Sequence, residues 1–350
     1  MKNRLPVETF NFPIEKIKSG YYSDAYFLRT AEILNSDNHH PRVLMQIFTR
    51  EHVVVCGTDE VIALIKTCAY HPENIIIHSL HDGDEVEPWE TIMTIEGDLA
   101  DFAHLETIYL GILARQSRIA TNVRNVVKAA NGKPVLFFPA RYDIYHTQES
   151  DGYAAKIGGI KGFSTDANAL PSNGKGVGTI PHALIAAYNG NTVAATEAFD
   201  KYVDENIARI ALVDFDNDCV NTSLAVARKL GHKLQGVRLD TSGSMVDKSL
   251  YGQMGMFNPT GVCKELVCNV RQALDNEGFD YVKIIVSGGF DAKRVAAFEA
   301  AGVPVDTYAV GSSFFDGNIN FTADIVMVDG KPCAKAGRKY LPNDRLELVK

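Results

Sequence analysis

Apolar positions in the first third of the chain fall into short runs separated by turn residues. Val43–Phe48, His52–Cys56, Ile75–His78 and Thr91–Glu96 read as strands. Asp82, Gly83, Asp84 and Pro88 place turns inside Leu80–Gly97, which predicts a small antiparallel unit. The period then lengthens. Ile108, Ile112, Ile119, Val123 and Val127 recur at roughly helical spacing and predict one long helix over Leu105–Ala130. Asn131-Gly132-Lys133-Pro134 breaks it.

From Pro134 onward, apolar runs that end in polar or glycine-rich turns alternate with helical stretches. Val135–Phe138 ends at Pro139-Ala140-Arg141. Arg209–Val213 ends at Asp214 and precedes a helix over Cys219–Leu230. Gly236–Leu239 ends at Asp240-Thr241-Ser242-Gly243, with a helix over Gly261–Asn276. Val282–Val286 ends at Ser287-Gly288-Gly289 before a helix over Asp291–Ala301, and Val305–Val310 ends at Gly311-Ser312-Ser313. Strand-then-helix alternation implies parallel strands joined by crossovers. Five or six such units over about 180 residues suit an incomplete α/β barrel better than a long open sheet. A β-like Asp324–Val328 closes the pattern and is expected to return to the N-terminal β unit.

Composition narrows the class. The 350 residues are 46% hydrophobic and 22% charged, which excludes a disordered, collagenous or disulfide-scaffold chain. A net charge of −8 disfavours general nucleic-acid binding. No apolar stretch reaches the ~18 residues of a membrane span, and Met1 to Pro13 contains no signal-peptide core. The six cysteines form no CxxC or zinc-finger spacing, so all are expected reduced and mostly in the core. A soluble protein of the cytoplasm follows as an expectation.

Candidate chemistry sits at the strand ends. The turns Ser287-Gly288-Gly289 and Gly311-Ser312-Ser313 are either tight strand–helix connections or phosphate cradles, since glycine lets backbone N–H groups approach an anion closely. Arg238 and Asp240, two apart, face the same way along a strand. They form a structural ion pair, or they hold a phosphate or carboxylate and ribose hydroxyls. Gly178-Thr179-Ile180-Pro181-His182 ends a strand-like run and opens a helix. His182 is then a solvated helix-start residue, an acid–base or a phosphoryl carrier. Phe138 beside Arg141 offers an aromatic face and a carboxylate clamp for a flat anionic ring, or else core packing and a surface charge. Tyr26, in the aromatic-rich Gly20–Phe27, reads locally as packing.

Six segments occur together in order: Tyr22–Thr30, Ile157-Gly158-Gly159, Gly178–Leu184, Val237–Thr241, Val286–Gly289 and Val310–Ser313. In this the chain resembles the nicotinate phosphoribosyltransferases, most closely their short archaeal-type branch, over roughly residues 15–330. The resemblance implies a type II phosphoribosyltransferase fold: an irregular, incomplete (β/α) barrel over 116–319, with a second α/β sandwich domain from 1–115 completed by 320–350. It implies a head-to-tail homodimer. It also implies that nicotinate and 5-phosphoribosyl 1-pyrophosphate give nicotinate mononucleotide and pyrophosphate, with Mg²⁺ and coupled ATP hydrolysis, so the class is ligase or glycosyltransferase.

Carried over residue by residue, His182 matches the histidine that ATP phosphorylates, with Thr179 beside it. Phe138 and Arg141 match the residues at the pyridine ring, and Tyr26 the tyrosine that a neighbouring subunit supplies. Arg238 and Asp240 match residues near ring, ribose or pyrophosphate. Ser287, Gly288, Gly289, Gly311, Ser312 and Ser313 match the 5-phosphate cradle. Relatives continue into a cysteine-rich metal-binding tail, whereas this chain ends at Lys350, so no structural metal is expected. Pro139-Ala140 stands where relatives more often have glycine. Asp166 falls where nicotinamide-using cousins place an aspartate that binds the carboxamide, which keeps a nicotinamide enzyme as an alternative. A quinolinate enzyme needs a further basic cluster around Arg141, and none is evident. A non-catalytic sensor would be expected to have lost the His182 motif or the Arg238/Asp240 pair.

Overall fold

The computed structural model describes residues 3–350. Its strands in chain order are β1 (Arg42–Thr49), β2 (Val53–Val54), β3 (Ile76–Ser79), β4 (Glu85–Val86), β5 (Thr91–Asp98), β6 (Val135–Phe137), β7 (Gly162–Phe163), β8 (Ile210–Leu212), β9 (Gly236–Leu239), β10 (Lys283–Val286), β11 (Thr307–Val310), β12 (Phe321–Val328), β13 (Lys331–Pro332) and β14 (Glu347–Leu348). The fold consists of two compact units, one of residues up to Thr121 with Gly317–Lys350 and one of Asn122–Asp316.

The first unit is built on an antiparallel sheet in the order β13-β12-β1-β5-β3-β14. The C-terminal β12 lies against β1, with Val43 opposite Val328 and Thr49 opposite Phe321, so the segment does return to the N-terminal strands. Met45 and Ile47 of β1 pack with Val61, Leu64 and Ile65 of the helix Thr58–Cys68 and with Leu105 and Tyr109. Simple alternation fails in β1, because Gln46 is also buried. Its amide donates to Lys339 O at 3.0 Å and accepts from Leu341 N at 3.0 Å, so the C-terminal segment covers the second face. Pairing satisfies a buried amide that would otherwise cost about 1–3 kcal/mol.

The second unit is a curled, all-parallel sheet in the order β7-β6-β11-β10-β9-β8. The first long strand, β6, pairs with the last, β11, as barrel closure requires. Helices Cys219–Leu230, Lys264–Asn276 and Ala292–Ala300 form the successive crossovers from β8 to β11. Asp218 and Asp291 start two of them by accepting the N–H of Asn221 and Arg294. The break in the barrel falls between β7 and β8.

One segment bridges that break. Val177 N–H donates to Phe163 O of β7 at 2.7 Å, and Ile180 N–H donates to Ile210 O of β8 at 3.4 Å. Three residues span at most about 10 Å, so the sheet must curl to bring its edges that near. The run before His182, expected to be strand-like, is this irregular bridge. Two further differences from the sequence reading have simple causes. β7 is two residues long, too short for a periodic signal. Only Cys56, Cys68 and Cys219 are buried; Cys263 is half-buried just before the helix Lys264–Asn276, Cys268 and Cys333 are exposed, and all six are free thiols. Among the described residues, no helix is long and apolar enough to cross a membrane.

Candidate active site

Six parallel strands direct their C-terminal ends to one edge of the sheet, and residues at the ends of five of them, β6, β7, β9, β10 and β11, enclose a cleft of about 310 Å³, built wholly from the second unit. After β6, Phe138 is tied to β11 by its N–H on Val310 O at 2.8 Å. Pro139-Ala140 is accommodated by a tight turn, in which Tyr142 N–H donates to Pro139 O at 2.8 Å. Arg141 lies over the Tyr142 ring at 5.2 Å and donates Nη2 to the Tyr142 hydroxyl at 3.3 Å. An aromatic wall and a fixed guanidinium thus line the same side of the cleft.

Four side chains form a connected chain across the β9–β10 ends. Arg238 donates Nη1 to Thr179 Oγ1 at 2.8 Å and Nη2 to Asp240 Oδ2 at 3.3 Å. Ser287 donates its hydroxyl to Asp240 Oδ1 at 2.7 Å, with Leu239 O 3.1 Å from the same oxygen. Charge-assisted bonds of this kind are worth about 1.5–3 kcal/mol each, enough to fix both charges before any ligand arrives. Arg238 Nε is buried and has no partner among the described residues.

The facing wall is glycine. Gly288 and Gly289 hold φ of 82° and 73°, left-handed values that a side chain would strain. A Cβ on Gly311 would come within 3.1 Å of the Tyr142 ring. These glycines bring bare backbone to the cleft, beside Ser312. Ser313 does not line the cleft; its hydroxyl donates to Phe290 O at 2.7 Å.

His182 opens the short helix His182–Ala187. Its Nε2 lies 3.0 and 3.1 Å from the two carboxylate oxygens of Asp214, at the end of β8. The imidazole is 46% exposed and the carboxylate only 7%. Burial pushes the Asp214 carboxyl up, and the neighbouring His182 pulls it back down. An ionised Asp214 only accepts hydrogen bonds, so Nε2 carries the proton and the Nδ1 lone pair is free to act as a nucleophile. His182 is not among the residues lining the cleft, although Thr179 of the same segment is bonded to Arg238.

Two predicted residues lie elsewhere. The Asp166 carboxylate accepts Gly176 N–H at 2.7 Å with Lys175 Nζ at 3.5 Å, and these two hold it below the usual carboxylate range. It is exposed, and Ser164, two residues earlier, lines the cleft instead. Tyr26 is exposed on the helix Ala25–Ser36 of the first unit, its hydroxyl 3.3 Å from Asp24 Oδ2. Sequence reasoning assigned no role to Asp214, Tyr142 or Ser164. Asp214 was visible as a strand end, but its partner lies 32 residues away in the chain.

The known families and proteins that this chain matches carry both nicotinate and quinolinate phosphoribosyltransferase names. Residues 24–117 match the family model described as the quinolinate phosphoribosyl transferase N-terminal domain. The chain is similar to a nicotinate phosphoribosyltransferase of Mycobacterium tuberculosis, 29% identical over 282 residues, covering 77% of this chain and 57% of that protein. The chain therefore spans little more than half the length of that curated relative. Among solved structures it is similar to the nicotinate-nucleotide pyrophosphorylase of Pyrococcus furiosus, with 33% identity, a TM-score of 0.83, and coverage of 97% of this chain and 85% of that one. The human nicotinic acid phosphoribosyltransferase shares the fold at 16% identity and TM-score 0.67, with coverage of 91% and 77%.

Proposed function

The chain belongs to the nicotinate phosphoribosyltransferase family of type II phosphoribosyltransferases, and we propose that it joins nicotinate to 5-phosphoribosyl 1-pyrophosphate, releasing nicotinate mononucleotide and pyrophosphate for NAD salvage. One observation carries this reading. A single cleft gathers an aromatic–arginine wall, an arginine–aspartate pair and two glycine turns, which are the three fittings for a flat carboxylate ring, a ribose and a phosphate.

In this reading Phe138 and Arg141 hold the ring and its carboxylate, Asp240 the ribose hydroxyls, and the Gly288-Gly289 and Gly311-Ser312 turns the 5-phosphate. The pyridine nitrogen attacks the anomeric carbon as the carbon–oxygen bond to pyrophosphate breaks, through an oxocarbenium-like transition state. The protein's contribution is alignment and charge, so no covalent sugar bond is needed. Among the described residues no three His, Cys, Asp or Glu side chains are grouped to hold a metal. Asp240 is the one carboxylate in the cleft. With one carboxylate available, Asp240 would be the protein's contribution to a Mg²⁺, an ion that commonly keeps water and substrate oxygens as its other ligands. When bound, the ion neutralises charge on the leaving group.

ATP coupling enters through His182. Its Nδ1 attacks the terminal phosphorus of ATP, the bond to the ADP oxygen breaks, and Nε2 keeps its proton, hydrogen-bonded to the Asp214 carboxylate. The phosphoryl group places about two negative charges where a neutral ring stood. Tyr26 is assigned to the ring in the site of a neighbouring copy, which requires a homodimer.

The charge inventory favours nicotinate over its relatives. The cleft offers two cations, Arg141 and Arg238, and one is already paired to Asp240. That suits one carboxylate rather than the two of quinolinate. Asp166 accepts Gly176 N–H and is not among the residues lining the cleft, which supports nicotinate over a carboxamide substrate. The test is a product assay with phosphoribosyl pyrophosphate and, separately, nicotinate, nicotinamide and quinolinate, each with and without ATP. Mononucleotide from nicotinate, stimulated by ATP, is expected. Preferred use of quinolinate with release of CO₂ would overturn the reading.

A further inference from the structure

The loop after β10 has three consecutive carbonyls engaged by side chains. Arg294 donates Nη1 to Gly288 O at 2.8 Å and to Gly289 O at 3.1 Å, and Nη2 to Val262 O at 2.7 Å. Ser313 takes the next carbonyl, Phe290 O. Arg294 is itself fixed, with its guanidinium 4.2 Å from the centroid of the buried Phe290 ring and its N–H on Asp291 Oδ1 at 2.7 Å. It lines a separate hollow with Phe257, Lys264 and Phe298, not the cleft.

The orientation of the amides follows from this. Across a trans peptide, C=O and the following N–H point in opposite directions. Carbonyls held on the Arg294 side therefore turn the N–H groups of Gly289 and Phe290 the other way. Among the described residues none of the amides from Gly288 to Asp291 has a hydrogen-bond acceptor. Two glycines in succession also make this loop free to rotate its peptide planes at little cost, so the orientation has to be imposed from outside.

We propose that Arg294 is a positioning residue for the phosphoribosyl substrate: it holds the Gly288 and Gly289 carbonyls off the cleft and so presets the amides that receive the 5-phosphate. The proposal rests on reading the cleft as a phosphoribosyl site. It differs from a simple attraction of anions by positive charge, because it depends on a forked donor reaching several carbonyls at once.

The experiment compares the full-length wild type with Arg294→Lys and Arg294→Met. It measures calorimetric binding of ribose 5-phosphate, KM for both substrates, and Tm. Loss of the fork is expected to weaken ribose 5-phosphate binding and raise the KM for phosphoribosyl pyrophosphate by about tenfold or more in both variants, while the KM for nicotinate changes by less than about threefold. Arg294→Lys keeps the charge and carries the test if Arg294→Met fails to melt cooperatively. Wild-type affinity in Arg294→Lys overturns the proposal, as does an equal rise in both KM values. A wild-type chain that neither binds ribose 5-phosphate nor turns over overturns the proposed function and this inference with it. An active wild type with unaffected variants overturns this inference alone.

Discussion

Among the described residues the His182 ring is hydrogen-bonded by Asp214 through Nε2, beside the Phe215 ring at 6.4 Å, and it is 46% exposed. Replacing that carboxylate with an amide keeps the shape but supplies a donor as well as an acceptor, so the wrong tautomer becomes available. Asp214→Asn is therefore expected to lower ATP-dependent, acid-labile phosphate incorporation at His182 by about 10²-fold or more; unchanged labelling would remove Asp214 from the mechanism. His182→Ala is expected to abolish nicotinate-stimulated ATP hydrolysis, and retained stimulation would refute the phosphoryl role. At this scale the sequence was uneven. Arg238 and Asp240 were legible because i and i+2 share a strand face. Asp214, Tyr142 and Arg294 were not, because their partners are set by packing between separate elements.

Strand ends and the turns that follow them form the next scale. The Gly288-Gly289 turn was readable in the chain, and its left-handed φ values explain why glycine stands there. Gly288→Ala is expected to cost about 1–2 kcal/mol of stability and to raise the KM for phosphoribosyl pyrophosphate, because a side chain is strained at φ 82° and relief of that strain turns the peptide that carries the Gly289 amide; denaturation and steady-state kinetics check both. Glu106, at the start of the helix Glu106–Ala129, makes a different prediction. Burial first, then Asp324 and Asp24, push its carboxyl from 4.5 up to about 7. The folded state therefore binds this proton more tightly than the unfolded state. Its stability should fall as pH rises from about 4.5 to about 7, with the full penalty above that window. Glu106→Gln is expected to flatten the profile and to be the more stable form at pH 8; a parallel, unchanged profile in chemical denaturation would contradict this. The long helix Glu106–Ala129 and the strand–helix alternation from β8 to β11 were legible in the chain, whereas the helices Ala25–Ser36, Thr58–Cys68, Gln148–Gly158 and Thr192–Tyr202 were not predicted. The bridge Val177–Ile180 was not legible either, because its bonds go to two sheet edges that only the curled sheet brings near.

For the whole molecule, two units meet different demands. The cleft is built entirely from Asn122–Asp316, whereas Tyr26 belongs to the other unit. Sequence patterning showed the return of the C-terminal strand to the N-terminal sheet. It did not show the burial of Gln46 beneath Lys339 and Leu341, because these partners lie nearly 300 residues away in the chain. If Tyr26 serves a neighbouring copy, mixing a Tyr26→Ala chain with a Phe138→Ala chain should restore activity, up to about a quarter of sites in random dimers. No recovery on mixing would place Tyr26 outside the reaction. The most direct test of the central claim is a crystal structure of the chain with nicotinate mononucleotide. The 5-phosphate should lie on the amides of Gly289 and Phe290 and on the Gly311-Ser312 turn, with the pyridine ring against Phe138 and its carboxylate on Arg141. A nucleotide bound away from this cleft, or reversed within it, would contradict the account.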